Sequence, residues 1–206
     1  MDENKMPRIP TLSLSWFSHG REGSLSLLYG HPEVNSFAQS LLARPLSQGY
    51  GVTVLDAGNS FDPYLISRMA QSLGREPREF LSKILVSRSF TCHQTHALIQ
   101  EVANLHAKRS RLILVLGCLT TFYDEEISLA ERAALLRKTL MLLKKSARSG
   151  AGIFITSTDS PVPVRDGLTN LLIRAADRAA RLDLHQDGSF SIDLIKGINA
   201  AGSLKR

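Results

Sequence analysis

Short, nearly continuous apolar runs alternate along this chain with longer stretches in which apolar residues return every three or four positions. The runs are Ser24 to Tyr29, Gly51 to Asp56, Ile84 to Arg88, Arg111 to Leu116 and Gly152 to Thr156, each with the length and apolar content of a strand. Helical spacing marks Asn35 to Ala43, Pro63 to Leu73, His93 to His106 and Ser128 to Ala147. A strand that is apolar on both sides must be covered on both faces, which a parallel sheet between two helical layers provides. The pattern then changes. Arg181 to His185 and Ser189 to Leu194 alternate strictly around Gln186-Asp187-Gly188, which predicts an antiparallel hairpin with one solvated face at the sheet edge. The expected fold class is α/β: a mostly parallel sheet flanked by helices, with a C-terminal antiparallel hairpin.

Leu12 to Phe17 also alternates apolar and small polar residues, ahead of a break at Gly20 and Gly23. Residues 1–22 are therefore expected to form an N-terminal arm and residues 23–206 a single core domain. The 206 residues, 43% hydrophobic and 21% charged, suffice for one domain with a sizeable core. No apolar run approaches the roughly 18 residues of a membrane span, and the first residues do not read as a signal peptide. A cytoplasmic protein is expected, associated with the nucleoid if it binds DNA. Cys92 and Cys118 belong to no metal or redox spacing and read as packed thiols. The net charge of +6 favours a polyanionic partner, since clustered cations release counterions from phosphates.

Several segments, taken in order, resemble one family. Gly23-Ser24, a strand and Tyr29-Gly30 are similar to the opening of the phosphate-binding segment in the RecA, RadA and eukaryotic recombinase core. Val54 to Pro63 resembles that family's strand ending in Asp-Thr-Glu-Gly-x-Phe-x-Pro. Ile84 to Gln94, with Arg88, Phe90, His93 and Gln94, resembles its Ala-Arg-Ala-Phe/Tyr-Asn-x-x-His-Gln segment with one residue fewer. Leu112 to Tyr123 resembles the Walker B strand and its continuation, and Ile153 to Thr156 the later Ile-Thr strand. The resemblance spans about Gly23 to Ile195 and implies a RecA-like, P-loop-type fold. The family's helix-hairpin-helix amino-terminal domain is missing from this sequence.

The departures from the family concern its chemistry. In G-x-x-x-x-G-K-[ST], glycines free backbone N–H groups for phosphate, the Lys reaches the β/γ-phosphates and the hydroxyl holds Mg²⁺. The aligned run here is Gly30-His-Pro-Glu-Val-Asn35-Ser36-Phe37: Asn35 replaces the second glycine, Ser36 the lysine and Phe37 the hydroxyl. Pro32 removes a donor and Glu33 adds a negative charge. The Walker B aspartate falls on Gly117, the water-orienting glutamate on Gly58, and Thr158 stands where a sensor Gln is usual. Asp56, Asp124 and Glu125 are the acids from which a rearranged metal site would have to be built, and the helix starting near Asn35 keeps a positive end for a weaker anion. The expectation is a pseudo-ATPase with no cofactor and no catalytic residues.

The resemblance implies DNA-facing loops after the Walker B and Ile-Thr strands, here Asp124 to Ser128 and Ser157 to Leu168. The first is acidic; the second offers Arg165. Other basic residues concentrate in Lys108, Arg109 and Arg111, and in Arg137, Lys138, Lys144, Lys145 and Arg148, which share a helix face opposite Leu135, Leu136, Leu142 and Leu143. Arg174, Arg178 and Arg181, four and three apart, suggest a second stripe. His93 and His96 lack a Cys or acidic partner at metal spacing, so His93 is expected to be a buried hydrogen-bonding residue. Trp16 and Phe17 lie where family members insert an aromatic into a neighbouring subunit. The expected partners are DNA, single- or double-stranded, and a recombinase or a second copy of the chain, with no membrane. The expected role is a non-catalytic accessory in recombination or repair; the alternative is a regulatory or signalling scaffold of the same fold that does not bind DNA.

Overall fold

The computed structural model describes residues 23–105, 112–123, 127–159 and 167–197. Seven strands form one sheet in the order β3-β2-β4-β5-β1-β6-β7. They are β1 (Leu25–Gly30), β2 (Val52–Asp56), β3 (Ile84–Arg88), β4 (Leu112–Leu116), β5 (Gly152–Thr158), β6 (Arg178–Leu184) and β7 (Phe190–Lys196). All neighbours pair in parallel except β6 and β7, which form the antiparallel hairpin expected at the edge. The RecA-like α/β architecture is thus present, with β1 between β5 and β6 in the sheet interior.

One face of the sheet carries α1 (Val34–Ser40), α2 (Ala43–Ser47), α3 (Pro63–Ser72) and α4 (Pro77–Leu81). The other carries α5 (Cys92–Leu105), α6 (Leu129–Arg148) and α7 (Leu168–Ala175). Alternation along a strand sends successive side chains to opposite layers. Ile113 and Val115 of β4 accordingly pack with Leu136, Leu140 and Leu143 of α6, while Leu114 and Leu116 pack with Ile66, Met69 and Phe80. Cys92 and Cys118 are buried and form no disulfide, and burial pushes the Cys118 thiol up to about 12. They are packing groups, as expected.

Helix boundaries follow local chemistry. Asp62 caps α3 by accepting the Tyr64 N–H at 2.8 Å, with Pro63 in the first turn. Ser128 accepts the Glu131 N–H at the start of α6, the hydroxyl half of a capping box. The helix expected over Asn35 to Ala43 is instead two short ones, broken at Leu41 and Leu42. Pro45 explains the break, because it cannot donate to the Leu41 carbonyl and its ring would clash there. Helices α4 and α7 are additional to the sequence expectations; each is eight residues or fewer, too short to set a clear period. Residues 1–22, with Trp16 and Phe17, lie outside the described residues. No helix among the described residues is long and apolar enough to cross a membrane.

Candidate functional site

In the resembling family the nucleotide would sit at the carboxyl ends of β1, β4 and β5. Here β1 ends at Gly30 and α1 begins at Val34, leaving three residues to turn the chain. Gly30 has φ +119°, and a β-carbon there would collide with the Leu182 carbonyl oxygen, so only glycine fits. The turn uses its own donors. The His31 N–H donates to Leu182 O at 2.9 Å, Glu33 N–H to His31 Nδ1 at 3.3 Å, Val34 N–H to His31 O at 2.9 Å and Asn35 N–H to Pro32 O at 3.3 Å. Pro32 has no N–H to give. Four N–H groups at the positive helix end that a weaker anion would use are thus engaged within the protein.

The substituted positions have taken on packing roles. Phe37 is buried with Leu28, Val34, Ala180 and Leu182. Asn35 is buried, and its Oδ1 accepts from the Thr156 hydroxyl, whose oxygen accepts the Gly117 N–H at 2.9 Å. This chain of bonds joins α1, β5 and the end of β4. Gln39, also buried, donates to Asn35 O and Ser60 O and accepts the Asp62 N–H at 2.7 Å, fastening α1 to the loop after β2. Ser36 faces outward and is exposed.

Gly117 and Gly58, the positions of the two family carboxylates, lie against each other. Gly117 has φ +61°, and a β-carbon on it would lie 2.7 Å from the Gly58 Cα and 3.0 Å from the Gly58 N. Two backbone turns meet where two acidic side chains would otherwise project. The third acid, Asp56, is fully buried and engaged: Oδ1 accepts Ser60 N–H at 2.8 Å, while Oδ2 accepts Phe61 N–H and Arg88 Nε at 3.1 Å. Asp56 thus organises the 57–61 loop. Asp124 and Glu125 lie outside the described residues, and among those described no group of three potential ligands is clustered for a metal.

The histidine expectation needs correction. His93 is exposed, with 58% of its side chain accessible, and its Nε2 is 3.8 Å from Glu131 Oε1. The hydrogen-bonding residue is His96, whose Nδ1 meets the Thr139 hydroxyl at 2.9 Å and ties α5 to α6. Burial above all, then the charge of nearby Lys138, holds its imidazole below the ordinary value. Gln94 serves the helix start: its Oε1 accepts the Phe90 N–H, and its own N–H donates to Thr91 Oγ1. The His-Gln signature thus contains a capping arrangement.

The basic residues divide. Arg137, Lys138, Lys145 and Arg148 are exposed on α6 and Lys144 is half-exposed, on the face opposite buried Leu136, Leu140 and Leu143, as the periodicity requires. Leu135 and Leu142 are only partly buried at the edges of the packed face. The second stripe does not form. Arg174 ends α7, whereas Arg178 and Arg181 belong to β6. Arg181 is held by Asp159 at 2.7 Å and Asp183 at 2.9 Å and lies 5.5 Å from the Tyr29 ring centre. No sequence spacing signalled that cluster, because it joins the ends of three separate strands. Lys108, Arg109, Arg111 and Arg165 lie outside the described residues.

The family model described as Rad51 matches residues 41–176, well over half of the 206-residue chain. The matched span runs from the end of α1 to the residues before β6, and so contains Gly58, Gly117 and all of α6. With the sheet order and the closing hairpin, that match establishes that this chain belongs to the Rad51 family, the recombination-related branch of the RecA-like α/β proteins.

Proposed function

We propose that this chain acts in recombination or repair without nucleotide turnover, by binding DNA, a recombinase partner or both. The observation that carries the non-catalytic reading is the inward use of the turn after β1: the N–H groups of His31, Glu33, Val34 and Asn35 already have acceptors. A phosphate cradled here would have to compete with those bonds for the same N–H groups, two of which belong to buried residues, Val34 and Asn35. The Gly58 and Gly117 contact supports the same reading, since a carboxylate at Gly117 would collide with Gly58 and one at Gly58 would be crowded by Gly117 and Ser60. DNA binding is supported by the net charge of +6 and by the cationic face of α6.

The test combines ligand stabilisation with nucleic-acid titration. A nucleotide present at about a hundred times its Kd stabilises a protein by about 2.7 kcal/mol, several degrees in Tm. With millimolar ATP and Mg²⁺ the expected result is no shift in Tm and no release of phosphate; either one overturns the non-catalytic reading. Labelled single- and double-stranded DNA is expected to bind at low salt with an affinity that falls steeply as salt rises. Absence of binding to both strands at low salt would favour the scaffold that does not touch DNA.

A further inference from the structure

We infer that the outer face of α6 is a docking surface for a nucleic-acid phosphate backbone. The inference rests on the nucleic-acid reading above and assigns it a place separate from the closed turn at the end of β1. Arg137, Lys138, Lys144, Lys145 and Arg148 fall within an arc of about 120° at 100° per residue. Along the axis, Arg137 and Lys144 are about 10 Å apart and Lys144 and Arg148 about 6 Å, at 1.5 Å per residue. The face is thus a cationic ridge longer than two turns.

What sets this ridge apart is the lack of compensation. Exposed helices ordinarily place acids three or four residues from bases. The only acid on α6 is Glu131, in its first turn beside His93 of α5. None of the five cations pairs with a carboxylate among the described residues. Lys144 and Arg148 repel each other at i,i+4. Lys145 and Arg148 are favoured by the helix dipole in the last turn, but Arg137 and Lys138 lie mid-helix, where the dipole offers little. In the middle of the arc stands Met141, 71% exposed, an apolar side chain suited to the sugars between phosphates. Charge complementarity therefore selects a linear polyanion with regularly spaced charges and apolar surface between them.

The experiment compares the full chain with a triple variant, Arg137→Ala, Lys138→Ala and Lys144→Ala, in which alanine preserves the helix. A control triple, Arg68→Ala, Arg75→Ala and Arg78→Ala, removes the same charge from exposed positions on and around α3 and α4. Binding of a labelled duplex and a labelled single strand is titrated across salt. Each lost phosphate contact lowers the slope of log affinity against log salt by about 0.9 on duplex and about 0.7 on single strand, so the α6 triple should lose about 2.7 or about 2.1. The control should keep the parental slope. If the parent binds but the α6 triple keeps its slope, or both triples lose it equally, the assignment to α6 falls while the nucleic-acid reading stands. If the parent binds neither strand, that reading itself falls. Preferential binding to vesicles containing phosphatidylserine, with no binding to either strand, would assign the ridge to a membrane surface and overturn the inference.

Discussion

At the carboxyl end of the sheet Asn35, Thr156 and Asp56 turn their polar groups inward and pair them; on the outer face of α6 the cations are turned outward and left without partners. Asn35, Thr156 and the Gly117 N–H form one buried chain, and Asp56 spends both oxygens on the 60–61 backbone and Arg88. The five cations on the outer face of α6 meet no described carboxylate. The difference teaches how one fold treats polar groups in opposite ways at two places. Around Gly58, Gly117, Asn35 and Thr156, backbone contact and neutral hydrogen bonds occupy the space, since a buried polar group without a partner is costly. Where charge is retained at the surface, water satisfies it, and no internal partner is needed until a polyanion arrives.

Placing an acid at Gly117 breaks the comparison most severely. Gly117→Asp must adopt a positive φ and force a β-carbon against Gly58, so a loss of about 3 to 5 kcal/mol is expected from urea unfolding, with no gain in hydrolysis. A stably folded variant that hydrolyses ATP would show that the two glycines had not closed the site. Thr156→Val removes the centre of the buried chain and strands the Asn35 Oδ1 and the Gly117 N–H, for an expected loss of about 3 kcal/mol. Adding Asn35→Leu should recover part of it; strict additivity would mean that the two side chains are not coupled.

A smaller effect sharpens the contrast at the boundary between the regions, where His96 lies close enough to Lys138 to feel its charge. Its folded pKa is lowered by burial first, then by Lys138 and His93, so the unfolded chain binds a proton more readily. The contribution is fully present above the unfolded value of about 6.5 and is lost as pH falls through the folded value. Urea midpoints should therefore decline on acidification below about pH 6.5, and His96→Gln should flatten that decline. The smallest expected effect is on stability in the α6 triple variant. Removal of three exposed cations should change it by no more than about 0.5 kcal/mol, because those side chains hold nothing inside the fold. A larger loss would mean that the ridge is structural.

Much of the architecture was legible in the pattern. The strands β2 to β5 fall within two residues of the apolar runs, because a buried parallel strand must be apolar on both sides. The basic arc of α6 was legible too, since helical period alone decides which residues share a face. Other features were not. Pro45 divided the first helix, and α4 and α7 are too short to announce themselves. Of His93 and His96, three residues apart, only tertiary packing chose which would meet Thr139. Arg174, Arg178 and Arg181 have helical spacing in the sequence but straddle the end of a helix and a strand.

The sequence by itself determined the family resemblance, most of the order of strands and helices along the chain, and the cationic face of α6. Those depend on residue identity and on local period, which are properties of neighbours along the chain. Only the tertiary structure decided that the vacated positions are filled, with Gly58 against Gly117 and Asn35 against Thr156. Those residues are 59 and 121 positions apart, and nothing in their local sequence says that they meet. The sheet brings the ends of β1, β4 and β5 together, and in that shared space residues far apart in sequence pack against each other.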